Sequence, residues 1–467
     1  MNKCRNFPLN AAYTALLAAA LPLGCWIEVE AEPEPTVPFD WENDGVVSGG
    51  PSPSDWTGGS DRPPPSPTYP EPPASPVNEP ETEPSLPPDL YRDLIVLDPA
   101  IVGGPLTAND AADAPFSFRS QMAWLAGAGR DPFDFTRGWL ERWAVDSAIG
   151  PSLAQVTPRP GALTLLINPW LQASRDASGA GLLQYGDASP GIIPAWGDAP
   201  FALIAIVNRV DLAADPCSGY AGELRYVYSA LDPDTREPVD ATLILEVPYP
   251  ATRSAAEWAG AWSELTTLPK AAYAARLAEL AREVQTEANA LSARLRTNEI
   301  ALSDPAAPSW EMREFRPMIQ ASRLELVQVP LEFTPRFDAD PALVSEHVLG
   351  HAEEIESAGA SLPEALQAGA AQIGAADFSW PVLGVSERLR RAFSVQTCNG
   401  CHGGDTEALP FRHIAPARSF SEPAQVSAFL YDPLGESDEL RRRSAMLSVL
   451  AQSWCESEEP VTSYPGE

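Results

Sequence analysis

Several stretches in the middle of the chain have the pattern of buried or half-buried strands. They are rich in β-branched and aromatic residues, and the three between 201 and 250 are each bounded by Asp, Pro or Gly. The predicted strands are DLIVL (93–97), FALIAIVNRVDL (201–212), GELRYVYSAL (222–231), ATLILEVPYP (241–250), SWEMREFRPM (309–318) and SRLELVQVPLEF (322–333).

Apolar residues recur at helical spacing in two longer stretches, 255–268 and 270–295, with Pro269 at their junction. A shorter amphipathic segment lies at 135–145. Strands joined by hairpin-length loops, with helices in a block, favour an antiparallel sheet in an α+β fold over a doubly wound fold. We therefore predict an α+β domain over 93–335. From 339 onward the pattern is helical and loop-rich, and no further strand is predicted.

The N-terminal residues 1–24 have the features of a secretory signal. Two basic residues precede an Ala/Leu-rich run that is too short and too poorly flanked for a spanning helix. The run ends in Leu-Gly-Cys25, which resembles the lipobox of bacterial lipoproteins, although Pro22 departs from that pattern. We expect lipidation of Cys25, with a plain secretory signal as the alternative. Trp26 after the Cys favours the outer membrane, by resemblance to the lipoprotein sorting rule.

We predict that residues 25–92 form a disordered tether. This segment is rich in proline and acidic residues and almost without aliphatic ones, so it buries too little apolar surface to offset the entropy of ordering. The whole chain has 467 residues and a formal charge of −33, so it should repel nucleic acid and anionic lipid. We expect membrane contact only through the lipid, and we expect the carboxylates to form a solvated surface.

The stretch QTCNGCHGG (396–404) carries the candidate chemistry. Two thiols three positions apart, Cys398 and Cys401, followed at once by His402, have the spacing of a c-type haem attachment site. Ser386 is a plausible N-cap for a helix leading into it. The alternatives are a zinc site, for which His413 gives only a third ligand, a catalytic CxxC without the expected βαβ setting, and a structural disulfide within the motif.

The remaining cysteines suggest a pairing. Cys4 leaves with the signal, and Cys25 and the two motif cysteines have their own predicted roles, so Cys217 and Cys455 remain. In an oxidising compartment we predict that these two form a disulfide. The alternative is two separate buried thiols.

The sixth position of the iron decides between electron transfer and ligand-binding chemistry. His413 is the first candidate for a distal ligand. The alternatives for it are a contact with a haem propionate or with an iron-ligating residue, and ordinary packing. Met446 is the thioether alternative, although a Met on a helix is more often core. His347 and His351 lie one helical turn apart and could share a metal. A solvated acidic helix face is the simpler interpretation.

Arginines near the motif are candidates for pairing with haem propionates. These are Arg412, Arg418 and the run at 441–443. The alternative is an ordinary basic helix face.

The stretch TCNGCHGGDTEALPFRHIAPAR, together with VNRVDL, GELRYVY, RTNEIAL and WEMREF, resembles a family of uncharacterised exported proteins of Gram-negative bacteria. Many of these are lipoproteins, and they end in a single CxxCH segment. His413 matches the His of the family's motif. The resemblance implies one covalent haem c and supplies no substrate, and it gives 336–456 the character of a helical, cytochrome c-like haem-binding segment followed by a short tail (457–467).

The sequence thus predicts an outer-membrane-anchored lipoprotein that carries one haem c and exchanges single electrons with a redox partner in the cell envelope. Two alternatives stay open. One is a haem peroxidase or oxidase with an open sixth site. The other is a surface interaction protein in which the haem is structural.

Overall fold

A computed structural model describes residues 86–455 of the chain, with short gaps. The gaps are 88–89, 112–113, 152, 180–191, 214, 218–219, 306–307, 319–322, 334–339, 358–361, 374–376, 407–410 and 433–438. The predicted signal peptide, the predicted lipidation site Cys25, nearly all of the predicted tether and the tail 457–467 lie outside the described residues.

The helices and strands of the described chain alternate irregularly. The α-helices are α1 (Pro99–Val102), α2 (Phe118–Ala126), α3 (Pro132–Leu140), α4 (Asn168–Ser178), α5 (Ala255–Leu265), α6 (Lys270–Val284), α7 (Glu287–Ser292), α8 (Pro341–Gly350), α9 (Ala352–Glu356), α10 (Glu387–Ser394), α11 (Cys398–Cys401) and α12 (Glu439–Gln452). The strands are β1 (Ile95–Val96), β2 (Ser147–Ile149), β3 (Ala154–Val156), β4 (Phe201–Arg209), β5 (Glu223–Leu231), β6 (Pro238–Pro248), β7 (Arg294–Glu299), β8 (Trp310–Met318), β9 (Arg323–Val327), β10 (Val329–Phe333), β11 (Gln367–Ala368), β12 (Ala371–Ile373), β13 (Ile414–Ala415) and β14 (Gln425–Val426). Short 3-10 helices lie at Pro105–Thr107, Glu141–Ala144, Trp196–Asp198, Val210–Leu212 and Glu364–Leu366, and a π-helical turn at Ala162–Ile167.

One antiparallel sheet of eight strands organises the fold. Its order is β1-β4-β5-β6-β7-β8, and β8 then pairs with β12 near its start and with β9 near its end. Three two-stranded sheets, β2-β3, β10-β11 and β13-β14, lie beside it. The prediction of an antiparallel α+β fold is confirmed.

The first face of the large sheet, which we call the core face, packs against helices. On β5, Tyr226 and Tyr228 point to this face and lie against Phe116 and Phe118, with ring centroids 6.2 and 5.9 Å apart. On α3, Trp139 meets Phe315 of β8 edge to face at 6.0 Å. These side chains are fully buried, so this face forms the main hydrophobic core.

The second face, which we call the ladder face, carries the alternate residues of the same strands. Its defining feature is a buried row of arginines and glutamates that face one another across neighbouring strands, as the antiparallel register dictates. Its members are Glu223, Arg225, Glu246, Arg294, Arg296 and Glu314. The Glu246 carboxylate lies 3.3 Å from both Arg225 and Arg296. The expectation that the carboxylates form a solvated surface is therefore wrong for these glutamates.

Two other predictions about local structure are also wrong. The predicted helix 270–295 ends at Val284, is followed by the short α7, and gives way to β7 at Arg294. Helix-forming residues continue past 284, but the charged alternation of RLRTNE places its arginines on the ladder face, so tertiary pairing overrides local propensity. The C-terminal segment is not purely helical, because β11, β12, β13 and β14 lie within it.

The C-terminal segment is joined to the strand-rich part in two ways. Strand β12 extends the large sheet at β8. Cys217 and Cys455, 238 residues apart in sequence, form a disulfide with Cα atoms 5.5 Å apart, which confirms the predicted pairing. Among the described residues, no helix is both long and apolar enough to cross a bilayer.

Candidate functional site: a CxxCH cavity on the ladder face

The CxxCH motif forms a capped helical turn. Ser386 caps α10 as predicted, accepting a hydrogen bond from the Leu389 amide at 3.2 Å. After α10, Thr397 caps α11 by accepting from the Gly400 amide at 3.1 Å, and Trp380 Nε1 donates to Thr397 Oγ1 at 2.7 Å. The start of the motif is thus held by side chains rather than left as a loose loop.

The glycines of the motif are required by close packing. A Cβ on Gly400 would lie 2.2 Å from Ser394 Oγ, and one on Gly403 would lie 2.6 Å from the Phe378 carbonyl oxygen. The turn therefore lies directly against the preceding helix and against the 377–378 backbone. These glycines therefore allow close contact with the chain itself.

Both cysteines and His402 line one cavity between α11, the ladder face and the chain from 411 to 443. The lining includes Val207, Arg209, Arg225, Val227, Thr242, Ile244, Glu246, Arg296, Asn298 and Met312 from the sheet, and Thr397, Cys398, Cys401, His402, His413, Ile414, Phe429, Leu430 and Arg443 from the C-terminal segment. One wall is mainly aliphatic and aromatic, and arginines line another part. The cavity is about 130 Å³, below the roughly 300–1,000 Å³ of pockets that hold drug-sized ligands. A porphyrin would have to displace part of the C-terminal wall.

His402 is oriented by a backbone carbonyl. Its Nδ1 lies 2.7 Å from the Phe411 carbonyl oxygen, so Nδ1 carries the proton and donates. Burial lowers the pKa of His402 to about 4, which keeps the ring neutral. The bond to Phe411 and a 3.4 Å contact with Asn298 Nδ2 both involve Nδ1. No hydrogen bond to the described residues involves Nε2, so its lone pair is available to a metal.

His413 lies beside His402 with ring centroids 5.1 Å apart. Its Nδ1 lies 2.9 Å from Ser427 Oγ, and its Nε2 lies 3.0 Å from the Cys401 carbonyl oxygen. Because a carbonyl only accepts, the proton of His413 is on Nε2. Burial lowers the pKa of His413 to about 3. Ligation of iron by His413 would require its bond to Cys401 to break.

Met446 and the pair His347 and His351 lie elsewhere. Met446 is on α12 outside the cavity lining, where Arg442 Nη1 donates to its sulfur at 2.8 Å. The rings of His347 and His351 are 4.4 Å apart, and His347 meets Phe333 edge to face at 5.3 Å. His347 is therefore half-buried against a small core rather than on a solvated face. Among the described residues, no group of three or more His, Cys, Asp or Glu side chains has a geometry that could hold a metal ion.

Cys398 and Cys401 are free, buried thiols, so the alternative of a disulfide within the motif does not hold. Burial raises the pKa of Cys401 to about 12 and that of Cys398 well above its usual value. A nucleophilic or redox-active dithiol needs the opposite shift, a pKa lowered towards neutrality. The environment of the thiols therefore disfavours a thioredoxin-like role.

The arginines predicted to neutralise a bound anion divide into two groups. Arg443 lines the cavity, where it pairs with Glu439 at 2.8 Å. Arg412 is buried in an ion pair with Asp240, and Arg418 is exposed. Arg209, Arg225 and Arg296 also reach the cavity, and sequence reasoning missed them.

A signal for two of those missed residues was present in the sequence. Charged residues alternate with others in ELRYVY (Glu223, Arg225) and at the start of RLRTNE (Arg294, Arg296), which places these charges on one face of otherwise buried strands. Arg209, at the end of β4, carries no such signal. The sequence also gave no prediction for Asn298, whose side chain lies 3.4 Å from His402 Nδ1.

Two free thiols, a neutral imidazole with Nε2 outside any hydrogen bond to the described residues, several apolar side chains and several arginines meet at one cavity. No family model, no curated protein and no solved structure matches this chain, so its function is inferred from the site itself.

Proposed function

We propose that the chain carries one haem c, bound through thioether bonds to Cys398 and Cys401 with His402 as the proximal iron ligand. Its role is one-electron transfer in the cell envelope. The observation that carries this proposal is that His402 donates from Nδ1 to a backbone carbonyl while two free thiols and the unused Nε2 share one cavity. In haem proteins the proximal imidazole is held by a second hydrogen bond of this kind.

The attachment is balanced without an oxidant. Each Cys S–H adds across one vinyl C=C, so that an S–C bond forms and the hydrogen goes to the neighbouring carbon. Burial raises the pKa of both thiols, so they would be protonated before that reaction, and no disulfide joins them. When bound, the group supplies reversible one-electron exchange at its iron.

The chain's own residues would control the environment of that group. Val227, Ile244 and Leu430 exclude water from the cavity. Arg443 and Arg209 would supply positive charge for the two propionates of the haem. Charge-assisted hydrogen bonds of this kind are among the strongest in proteins. His413 would be the distal ligand if its bond to the Cys401 carbonyl broke, and Met446 would have to move into the cavity to take that role.

One observation favours the second candidate, an enzyme with an open sixth site. His413 Nε2 donates to the Cys401 carbonyl and Met446 lies outside the cavity. If neither moves on binding, the iron keeps an open position and can bind peroxide or a gas.

The location and the anchor belong to the same proposal. A lipidated Cys25 behind a cleaved signal would hold the protein at the outer membrane, and thioether attachment takes place outside the cytoplasm. The redox partner would then be a protein of the cell envelope.

Expression in a host with cytochrome c maturation tests the proposal. We expect the denatured polypeptide to keep its colour through acid-acetone extraction, and the double variant Cys398→Ala/Cys401→Ala to lose it, whereas each single variant keeps one thioether bond. The double variant Cys217→Ser/Cys455→Ser is the matched control, since it removes two cysteines outside the motif and its denatured chain should remain coloured. A colourless wild-type band refutes covalent haem.

Absorption spectra separate the two functions. A six-coordinate low-spin haem whose spectrum does not change when carbon monoxide or peroxide is added supports electron transfer. A high-spin haem that binds either one supports the enzyme.

A further inference from the structure

The carbonyl that orients His402 belongs to a residue with an unusual backbone. Phe411 has φ of +66°, in the left-handed region that bulky residues rarely adopt. Such a conformation is strained and persists only where the surroundings hold it. Here it aims the Phe411 carbonyl at His402 Nδ1, 2.7 Å away.

Asn298 of β7 holds that carbonyl in place. Its Nδ2 donates to the Phe411 oxygen at 3.1 Å, while its Oδ1 accepts from Trp310 Nε1 at 2.6 Å. An indole nitrogen can only donate, so Trp310 fixes which end of the Asn298 amide faces Phe411. The orientation of Asn298 therefore follows from its hydrogen bonds.

The rings reinforce the same arrangement. Trp310 stacks on His402 with centroids 5.2 Å apart and planes at 26°, and on Phe411 at 6.0 Å and 24°. Asn298 and Trp310 lie on paired central strands of the sheet and are almost completely buried. A rigid sheet thus reaches the imidazole through two side chains.

We propose that Asn298 and Trp310 are positioning residues for His402, which hold the Phe411 carbonyl so that the imidazole keeps its proton on Nδ1 and presents Nε2 to a metal. Only the identity of that metal group rests on the proposed function. The inference gives the strand-rich part a role, because β7 and β8 set the tautomer and the basicity of a ligand carried by the C-terminal segment.

The haem-free chain provides the first test. Asn298→Leu keeps the volume and removes the donor to Phe411. We expect the Nδ1–H to Nε2–H ratio of His402, measured by 15N NMR, to fall about tenfold, as the loss of one hydrogen bond implies. Asn289→Leu is the matched control, since Asn289 donates to the Pro248 and Val284 carbonyls away from the site. It should leave the ratio unchanged.

Trp310→Phe keeps the stacked ring and removes only the indole donor. We expect a smaller fall of the same ratio, because the Asn298 amide can then turn over. If Asn298→Leu does not fold, Trp310→Phe still tests the inference. If both variants fold and keep the wild-type ratio, or if Asn289→Leu shifts it equally, the inference is wrong.

The haem-loaded protein provides the second test. A weaker bond from Nδ1 makes Nε2 less basic and disfavours the ferric state, so the midpoint potential should rise in Asn298→Leu, rise less in Trp310→Phe and stay constant in Asn289→Leu. If haem attaches but neither the midpoint potential nor the tautomer ratio changes in Asn298→Leu, this inference is wrong and the proposed function stands. A tautomer shift in a chain that never takes up haem overturns only the proposed function.

Discussion

The core face and the ladder face of the large sheet are made from alternate residues of the same strands, yet they differ in chemistry. On β5, Leu224, Tyr226 and Tyr228 enter an apolar core, whereas Glu223 and Arg225 point to the ladder face beside the cavity. Glu223 is as buried as the apolar residues, and Arg225 is half-buried. The apolar residues stabilise the fold by leaving water. The charged residues lose their hydration on burial, and their ion-pair partners must offset that cost.

Such a ladder is a poor way to stabilise a fold. Apolar residues of similar size often give equal or greater stability than buried ion pairs. The ladder residues Arg225, Glu246 and Arg296 also line the CxxCH cavity, so the ladder face brings buried charge next to the motif. The comparison can be tested by changing one face at a time.

The largest expected effect concerns the disulfide that ties α12, the carrier of Arg443, to the chain after β4. Replacing both Cys217 and Cys455 by Ser should lower the free energy of unfolding by up to about 5 kcal/mol, because the bond closes a long loop. Urea unfolding measures the loss. Reducing the wild type should reproduce it and should not affect the variant. An unchanged midpoint would mean that packing alone holds α12.

A ladder glutamate comes next. Glu246→Gln should cost about 3–5 kcal/mol, because Arg225 and Arg296 would then lose a buried counter-charge. The exposed Glu237→Gln is the control, with an expected change within about 0.5 kcal/mol. A loss below 1 kcal/mol for Glu246→Gln, in urea unfolding, would mean that water reaches the ladder.

The two faces should also respond oppositely to pH. Burial raises the pKa of Glu299, on the core-face side of β7, to about 7, although Arg159 lies 2.7 Å away. The folded state therefore holds an extra proton between pH 4.5 and 7, and the free energy of unfolding should fall by up to about 3 kcal/mol as the pH rises through that window.

Glu299→Gln should remove this slope in unfolding curves recorded from pH 4.5 to 8. Glu223 on the ladder face behaves in the opposite way. Despite burial, Arg225 and Arg294 lower its pKa to about 2, so its contribution to stability is lost as the pH falls from 4.5 towards 2. A Glu299→Gln variant that keeps the wild-type slope would contradict the assignment.

The smallest effect tests the packing of the motif. Gly400→Ala should destabilise by about 1–3 kcal/mol, because its Cβ would collide with Ser394. Gly260→Ala, on α5 with open space around it, should stabilise by about 0.5–1 kcal/mol. Thermal unfolding of both variants gives the comparison, and equal effects of the same sign would show that Ser394 yields easily.

Much of the fold could be predicted from local pattern. The strands at 201–212, 222–231, 241–250 and 309–318 and the N-cap Ser386 were predicted, because burial and capping leave marks in neighbouring residues. The short strands β11 to β14 leave no such mark, since two or three residues carry no period. The predicted strand 322–333 divides into β9 and β10, a break that only the two different partners, β8 and β11, explain.

The sequence by itself determined the cysteines and the imidazole available to a cofactor, the disulfide pairing and the antiparallel character of the sheet. Only the tertiary structure decided that Arg209, Arg296 and Asn298 meet the motif, because those contacts join residues about a hundred or more positions apart. It also decided the tautomer of His402, through a carbonyl whose strained conformation no local pattern encodes. Spacing along a chain selects which chemistry is available, while long-range packing sets the partners that tune it.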